Sequence, residues 1–161
     1  MSLLDEFDIK ILNALQRDAS LQIEDIASEV GLSPSPCWRR IKRLEAEGII
    51  RHRVALLNRK KLNLSVTVFV AVRTNEHSPE WLTRFAGVVN DLPEVVEFYR
   101  MSGQIDYLLK IVVPDIDAYD AIYKRLIGRL PVFDVSSMFA MEEIKASTAL
   151  PLSYTRAKSK T

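Results

Sequence analysis

The 161-residue sequence predicts an α+β chain: a helix-turn-helix unit of three helices, then a ferredoxin-like βαββαβ domain. Three observations predict it. Apolar residues recur at helical spacing through the first fifty positions, interrupted by Gly31-Leu32-Ser33-Pro34. Val66, Val68, Val70 and Val72 then open a region where strand-like and helix-like segments alternate to about residue 141. Charge is blocked beneath a formal total of +1: residues 1–32 carry two basic and seven acidic side chains, whereas residues 33–61 carry nine basic and two acidic ones. Such blocking marks a localised electrostatic footprint.

The first helix gathers Phe7, Ile11, Ala14 and Leu15 on one face, with Leu12 beside them. Asp5, Glu6 and Asp8 sit where a helix N-terminus favours negative charge. A second helix over about Gln22 to Val30 buries Ile23, Ile26, Ala27 and Val30 and ends at Gly31, which tolerates the left-handed conformation just past a helix end. Ser33 then serves as an N-cap and Pro34 fits the first turn of a third helix that stops at Gly48.

On that third helix Cys37, Ile41, Leu44 and Gly48 fall within about 60° of one another and form the expected buried stripe. Ser35, Arg39, Lys42 and Arg43 lie opposite, with Pro36 and Trp38 on the flanks and Arg40 adjacent. A recognition helix needs this arrangement. Arginine reaches guanine edges in bidentate fashion, neighbouring cations neutralise phosphates, and Ser33 and Ser35 supply a cap and phosphate donors. Trp38 would pack at the rim or touch a base. The plainer reading is a solvated basic face. Cys37, on the apolar side with no base nearby, reads as a core residue rather than a nucleophile.

Residues 1–50 thus form the first domain and 51–63 a strand and basic connector, with Ile49 to Leu57 read as the strand that carries Arg51 and Arg53. Residues 64–150 form the second domain, and 151–161 a polar tail. In the second domain Ser78 caps a helix bearing Trp81, Leu82, Phe85, Val88 and Val89, which Pro93 ends. Val95–Met101 and Leu108–Val113 form a hairpin around Gly103. Pro114-Asp115 opens a helix with Ile116, Tyr119, Ile122, Tyr123 and Leu126 on one stripe, broken at Pro131. Val132–Met141 is the fourth strand. Helices cover one sheet face only, so Phe69, Phe98 and Tyr107 are expected to make the other face apolar and to drive dimerisation.

Several classes of function are excluded. No apolar run approaches the roughly 20 residues that span a bilayer. The acidic N-terminus lacks the basic start of a signal peptide, and one cysteine points to a reducing cytoplasm and no disulfide framework. Cys37, His52 and His77 are too few and too scattered for metal catalysis.

The residues resemble the Lrp/AsnC family of bacterial and archaeal regulators. The motifs are Leu4-Asp5, Asp8 and Ile11-Leu12; Ile26-Ala27 with Val30-Gly31-Leu32-Ser33; and Cys37 to Glu45 followed by Gly48-Ile49-Ile50. Gly103 with Asp106-Tyr107-Leu108-Leu109, and Met141-Glu142-Glu143-Ile144-Lys145, complete the set, so the likeness covers about residues 4–150. Pro36-Cys37-Trp38, Ser78 with Glu80-Trp81, and Phe139-Ala140-Met141-Glu142 are similar to the DecR-like branch, which is associated with cysteine.

The resemblance implies a winged-helix-like DNA-binding domain and an effector-binding domain of the type called RAM. It implies dimers formed through the sheet that assemble further, to octamers, and an amino acid bound between dimers. The implied response positions are Met101, Gly103, Gln104, Asp106, Ile116, Met138, Phe139 and Ala140. Asp106 would hold an effector ammonium or simply cap the hairpin, and Gly103 would expose backbone N–H groups to a carboxylate. Gln104, Ile105 and Met138-Phe139 depart from some members.

The expected function is that of a cytoplasmic transcriptional regulator, not an enzyme, with double-stranded DNA and a small amino acid such as cysteine as partners. It would need no other cofactor and no metal. An architectural DNA-binding protein without effector, and a catalyst on the ferredoxin-like fold, are the alternatives. The second half of the chain offers only His77, no cysteine and no evident carboxylate pair for catalysis.

Overall fold

The computed structural model describes residues 4–129 and 133–155, and it divides the chain into two compact units, each with its own core. The division falls between Leu56 and Leu57, and the chain from Lys145 onward belongs with the first unit. Those C-terminal residues were expected to finish the second domain and to trail as a polar tail.

The first unit contains α1 (Glu6–Arg17), α2 (Ile23–Val30) and α3 (Pro34–Ala46). A capping box starts α1: the Asp5 carboxylate accepts the Asp8 N–H at 2.9 Å, and the Asp8 carboxylate accepts the Asp5 N–H at 3.0 Å. Gly31 ends α2 at φ +77°, which lets the Leu32 N–H reach back to the Ala27 carbonyl at 2.8 Å. Ser33 occupies the N-cap position of α3, but its hydroxyl makes no capping hydrogen bond. Cys37, Ile41 and Leu44 are fully buried against Ile11, Ala14, Ile26 and Ala27. Gly48, expected in that stripe, is exposed.

Residues 51–58 carry no regular structure, contrary to the expected strand, and Val54, Leu56 and Leu57 are exposed. Loose alternation is not enough, because a strand also needs a neighbour for its backbone groups. The tail is better anchored than its polarity suggests. Gln16 donates from Nε2 to the Leu150 carbonyl at 3.3 Å and accepts the Leu150 N–H on Oε1 at 2.6 Å. Leu152 opens a short 3-10 turn and packs on the first core.

The second unit runs β1 (Val66–Arg73), α4 (Pro79–Asn90), β2 (Val95–Arg100), β3 (Tyr107–Val113), α5 (Ile116–Ile127) and β4 (Asp134–Phe139). The four strands are antiparallel in the order β2-β3-β1-β4, so the ferredoxin-like expectation holds. Pro131 and Val132 lie outside the described residues, and the fourth strand is shorter than expected. Ser78 Oγ caps α4 through the Trp81 N–H at 3.1 Å, and Asp115 caps α5 through the Ala118 N–H at 2.7 Å.

Val68, Val70 and Val72 pair in register with Ile111, Leu109 and Tyr107, and all six join the core beneath α4 and α5. This corrects the expected dimer face. Tyr107 and Phe98 point toward the helices, where Phe85 sits edge-on to both at 5.1 and 5.0 Å between ring centroids. Phe69 alone of the three named aromatics lies on the opposite face, with Leu108, Lys110, Val112 and Met138. Period-2 alternation fixes which residues share a face, but in β2 an irregularity between Val95 and Glu97 shifts the phase.

Candidate functional site

The basic residues of α3 separate into two groups. Ser35, Trp38, Arg39 and Lys42 are exposed, together with Ser33 at the helix start, while Pro36 is half-buried. Arg39 makes no side-chain hydrogen bond or ion pair among the described residues. Lys42 Nζ lies 2.8 Å from Glu45, which also takes Arg53 at 2.9 Å. The Lys42 hydrogen bond leads the causes that hold the Glu45 carboxyl below its ordinary range.

Arg40 and Arg43 reach toward the start of α1, although the Arg43 side chain remains 40% exposed. Arg40 Nη1 lies 2.7 Å from Asp5 and 2.8 Å from Asp8, and its guanidinium covers the Phe7 ring at 5.4 Å. Arg43 Nη2 lies 2.6 Å from the second Asp8 oxygen. That contact is an ion pair without hydrogen-bond alignment, and the Arg43 Nε and Nη2 atoms are buried. The Asp8 side chain is 1% exposed. Burial alone would raise the Asp5 pKa, but the Asp8 backbone N–H and the Arg40 guanidinium outweigh it and hold that carboxyl low. Arg40 and Arg43, which the sequence places among the DNA-facing side chains, are thus both paired with carboxylates at the start of α1. The signal was present in the sequence as two carboxylates three apart on α1 facing two arginines three apart on α3.

In the second unit, the hairpin between β2 and β3 carries the first half of the candidate ligand set. Met101 donates its N–H to the Asp106 carbonyl at 2.8 Å, and Gly103 takes φ +118°, a backbone that favours glycine. The Asp106 N–H reaches the Val72 carbonyl at 3.0 Å, and its Oδ2 accepts the Thr74 N–H at 2.9 Å. The other oxygen faces His77 Nδ1 at 3.9 Å. Met101 and Gln104 are exposed.

The second half lies elsewhere. Ala140 donates its N–H to the Thr67 carbonyl at 2.9 Å, Phe139 sits edge-on to Tyr119 at 5.2 Å, and Met138 lies beside Phe69 on the other face. Ile116 starts α5 at the same end of the sheet and is exposed. Asp106 is bonded at Val72 and Ala140 at Thr67, five residues apart on β1, or about 17 Å of strand. One chain does not bring the two groups together.

Among the described residues no cluster of His, Cys, Asp or Glu could hold a metal ion, and no helix is long and apolar enough to cross a membrane.

A three-helix unit with an exposed basic third helix, followed by a ferredoxin-like domain, is the architecture of a ligand-binding transcriptional regulator. The chain belongs to the Lrp/AsnC family. Residues 4–51 match the family described as winged helix-turn-helix DNA-binding, and residues 67–150 match the Lrp/AsnC ligand binding domain. The chain is 52% identical over 155 residues to the glutamate uptake regulatory protein of Zymomonas mobilis, covering 96% of this chain and 94% of that one. It is 47% identical over 151 residues to the DNA-binding transcriptional activator DecR of Escherichia coli, covering 93% and 99%. An AsnC family regulator from Agrobacterium tumefaciens has a crystal structure with TM-score 0.91 and 60% identity over 94% of this chain and 99% of that one. A Neisseria meningitidis transcriptional regulator in complex with L-Met has TM-score 0.90 and 38% identity over 94% and 98%.

Proposed function

We propose that the ligand is a small α-amino acid held between copies of the chain, and that its binding changes the assembly and hence the spacing of the DNA-binding units. The observation that carries this reading is the separation of the candidate ligand residues. Met101, Gly103, Gln104 and Asp106 sit at one end of the sheet, and Ile116, Met138, Phe139 and Ala140 at the other. A ligand touching both groups needs the hairpin of one copy set against the far sheet end of another. Gly103 exposes backbone N–H groups to a carboxylate, and the Asp106 oxygen not used by Thr74 takes the ammonium. The copies pair through the open sheet face and then assemble further. Ser35, Trp38, Arg39 and Lys42 face the DNA. Cysteine heads the effector candidates, and the L-Met complex of the Neisseria relative supports the same ligand class. A DNA partner and a single buried thiol, Cys37, suit a cytoplasmic regulator.

The test is operator binding with and without a panel containing cysteine, methionine, leucine and glutamate, paired with thermal melts and light scattering. A ligand that binds the native state raises the melting midpoint, and a responding regulator changes both DNA affinity and oligomer size. Operator binding that ignores every amino acid, with no melting shift, leaves an architectural protein. A chain that binds no DNA loses the regulator reading.

A further inference from the structure

We propose that Asp8 is a positioning residue that decides which cations of α3 reach DNA: it retains Arg40 and Arg43 as a neutral dock between α1 and α3 and leaves Arg39, with Lys42, as the outward pair. The inference rests on α3 being the DNA-facing helix and says which of its side chains do the reading.

Spacing alone groups Arg43 with the DNA-facing side chains, because residues four apart on a helix lie on one face. Asp8 removes it from that group. Its carboxylate has two oxygens and each faces a different arginine, Oδ1 toward Arg40 at 2.8 Å and Oδ2 toward Arg43 at 2.6 Å. The capping box fixes the Asp8 backbone, and Asp5 gives Arg40 a second acceptor at 2.7 Å. Two carboxylates and two guanidinium groups cancel, so this cluster adds no net charge to the DNA-facing surface. Drawing Arg43 out to a phosphate would leave the buried Asp8 short of a partner. An exposed phosphate contact returns little against that desolvated charge, so the inward pairing wins. Two arginines three apart also fix the rotation of α3 about its axis, which sets the direction in which Arg39 points.

Asp8→Asn puts an amide where Arg43 or Arg40 needs a carboxylate and frees one guanidinium. Each added phosphate contact steepens the dependence of log affinity on log salt by about 0.9. The variant is therefore expected to bind non-operator DNA severalfold more tightly at low salt, with a slope steeper by about one, and to discriminate the operator less. If Asp8 were only a fold residue, binding to both DNAs would weaken with no steepening, and the proposal fails. Should the variant not fold, the natural chain decides by arginine modification with phenylglyoxal, read residue by residue by mass spectrometry. Arg39 is expected to react in the free protein and to be protected by operator DNA, while Arg43, with Nε and Nη2 buried, reacts more slowly and gains no protection from DNA. Arg43 reacting as fast as Arg39, with protection by DNA, overturns the assignment to Asp8. Absence of operator protection at Arg39 instead overturns the DNA-facing role of α3 itself.

Discussion

Asp106 is bonded to Thr74 across the sheet: its Oδ2 accepts the Thr74 backbone N–H at 2.9 Å, tying the β2–β3 hairpin to the exit of β1. The two readings of Asp106, a hairpin cap and a ligand carboxylate, therefore apply to different oxygens of one side chain. They separate by substitution. Asp106→Asn keeps an oxygen for Thr74 and loses the charge, whereas Asp106→Ala loses both. Both variants should lose about 1.5–3 kcal/mol of effector binding, roughly 10- to 150-fold in affinity, as a charge-assisted partner disappears. Only Asp106→Ala should also lower stability, by about 1 kcal/mol, through the stranded Thr74 N–H. Calorimetric titration and thermal melts read the two effects independently. Wild-type effector affinity in both variants places the ligand elsewhere.

Arg43→Ala should behave as a stability variant. It leaves Asp8, whose side chain is 1% exposed, with Arg40 as its remaining cation. Breaking a buried pair costs about 3–5 kcal/mol when the orphaned charge has nothing else; with Arg40 retained, about 2 kcal/mol is expected. Arg39→Ala, exposed and unpaired, should stay within about 0.5 kcal/mol of wild type while losing about 1–3 kcal/mol of operator binding. Denaturant unfolding and fluorescence anisotropy at fixed salt make the comparison. Equal stability for the two variants contradicts the inward placement of Arg43.

Much of this was legible in the residues. Gly31, Ser33-Pro34 and the stripe of Cys37, Ile41 and Leu44 mark α3 because helix periodicity and punctuation are local properties. The βαββαβ order follows from the same kind of signal. What escaped is long-range. Nothing local in Arg43 says that Asp8 waits 35 positions earlier, and nothing local at Leu150 says that Gln16 binds its backbone. Strict alternation puts Phe98 on the open face, but the irregularity at Val95/Glu97 changes the phase of β2 and leaves no mark in composition. The candidate ligand set comes from the family resemblance, and its division between the two ends of the sheet needs the strand register.

Acid should weaken the fold in a defined way. Asp5 and Glu97 are both held below the ordinary carboxylate range; for Glu97 the leading cause is its hydrogen bond to Lys110. A carboxyl with a lowered folded pKa contributes stability that is present above its unfolded value and is lost as pH falls through the folded one. Melting temperature should therefore hold near neutral pH and drop once pH passes below about 4. Asp5→Asn should flatten the drop from its share of the titration. An acid limb identical to wild type in that variant removes Asp5 from the account.

The C-terminal segment is expected to stabilise the first unit. Leu152 packs on the core formed by α1, α2 and α3, and Gln16 bonds the Leu150 backbone on both sides. Full burial of a leucine gives 2–5 kcal/mol on truncation to alanine, so half-buried Leu152→Ala should cost about 1 kcal/mol. Hydrogen exchange should show faster opening in α1 and α3 and unchanged protection in β1 and β3. Uniform loss across both units would mean that the segment does not belong to the first core alone.

The open sheet face sets the last expectation. Phe69, Ala71, Leu108, Val112 and Met138 supply its apolar area, and the charged pair at its centre is met within the chain. Lys110 Nζ lies 2.9 Å from Glu97 Oε1, and the Tyr99 hydroxyl donates to Glu97 Oε2 at 2.8 Å. That pairing matters because an interface tolerates buried charge only when the partners are already met. A second copy can therefore cover the centre of the face without stranding Lys110 or Glu97, over an area of roughly 2,000 Å² as in stable homodimers. Phe69→Glu places an unpaired carboxylate at the centre of that contact while the helix-side core of Val68 and Val70 is untouched. Light scattering at micromolar concentration should show a monomer with a native circular dichroism spectrum. A Phe69→Glu chain that remains dimeric means the copies pair through another surface.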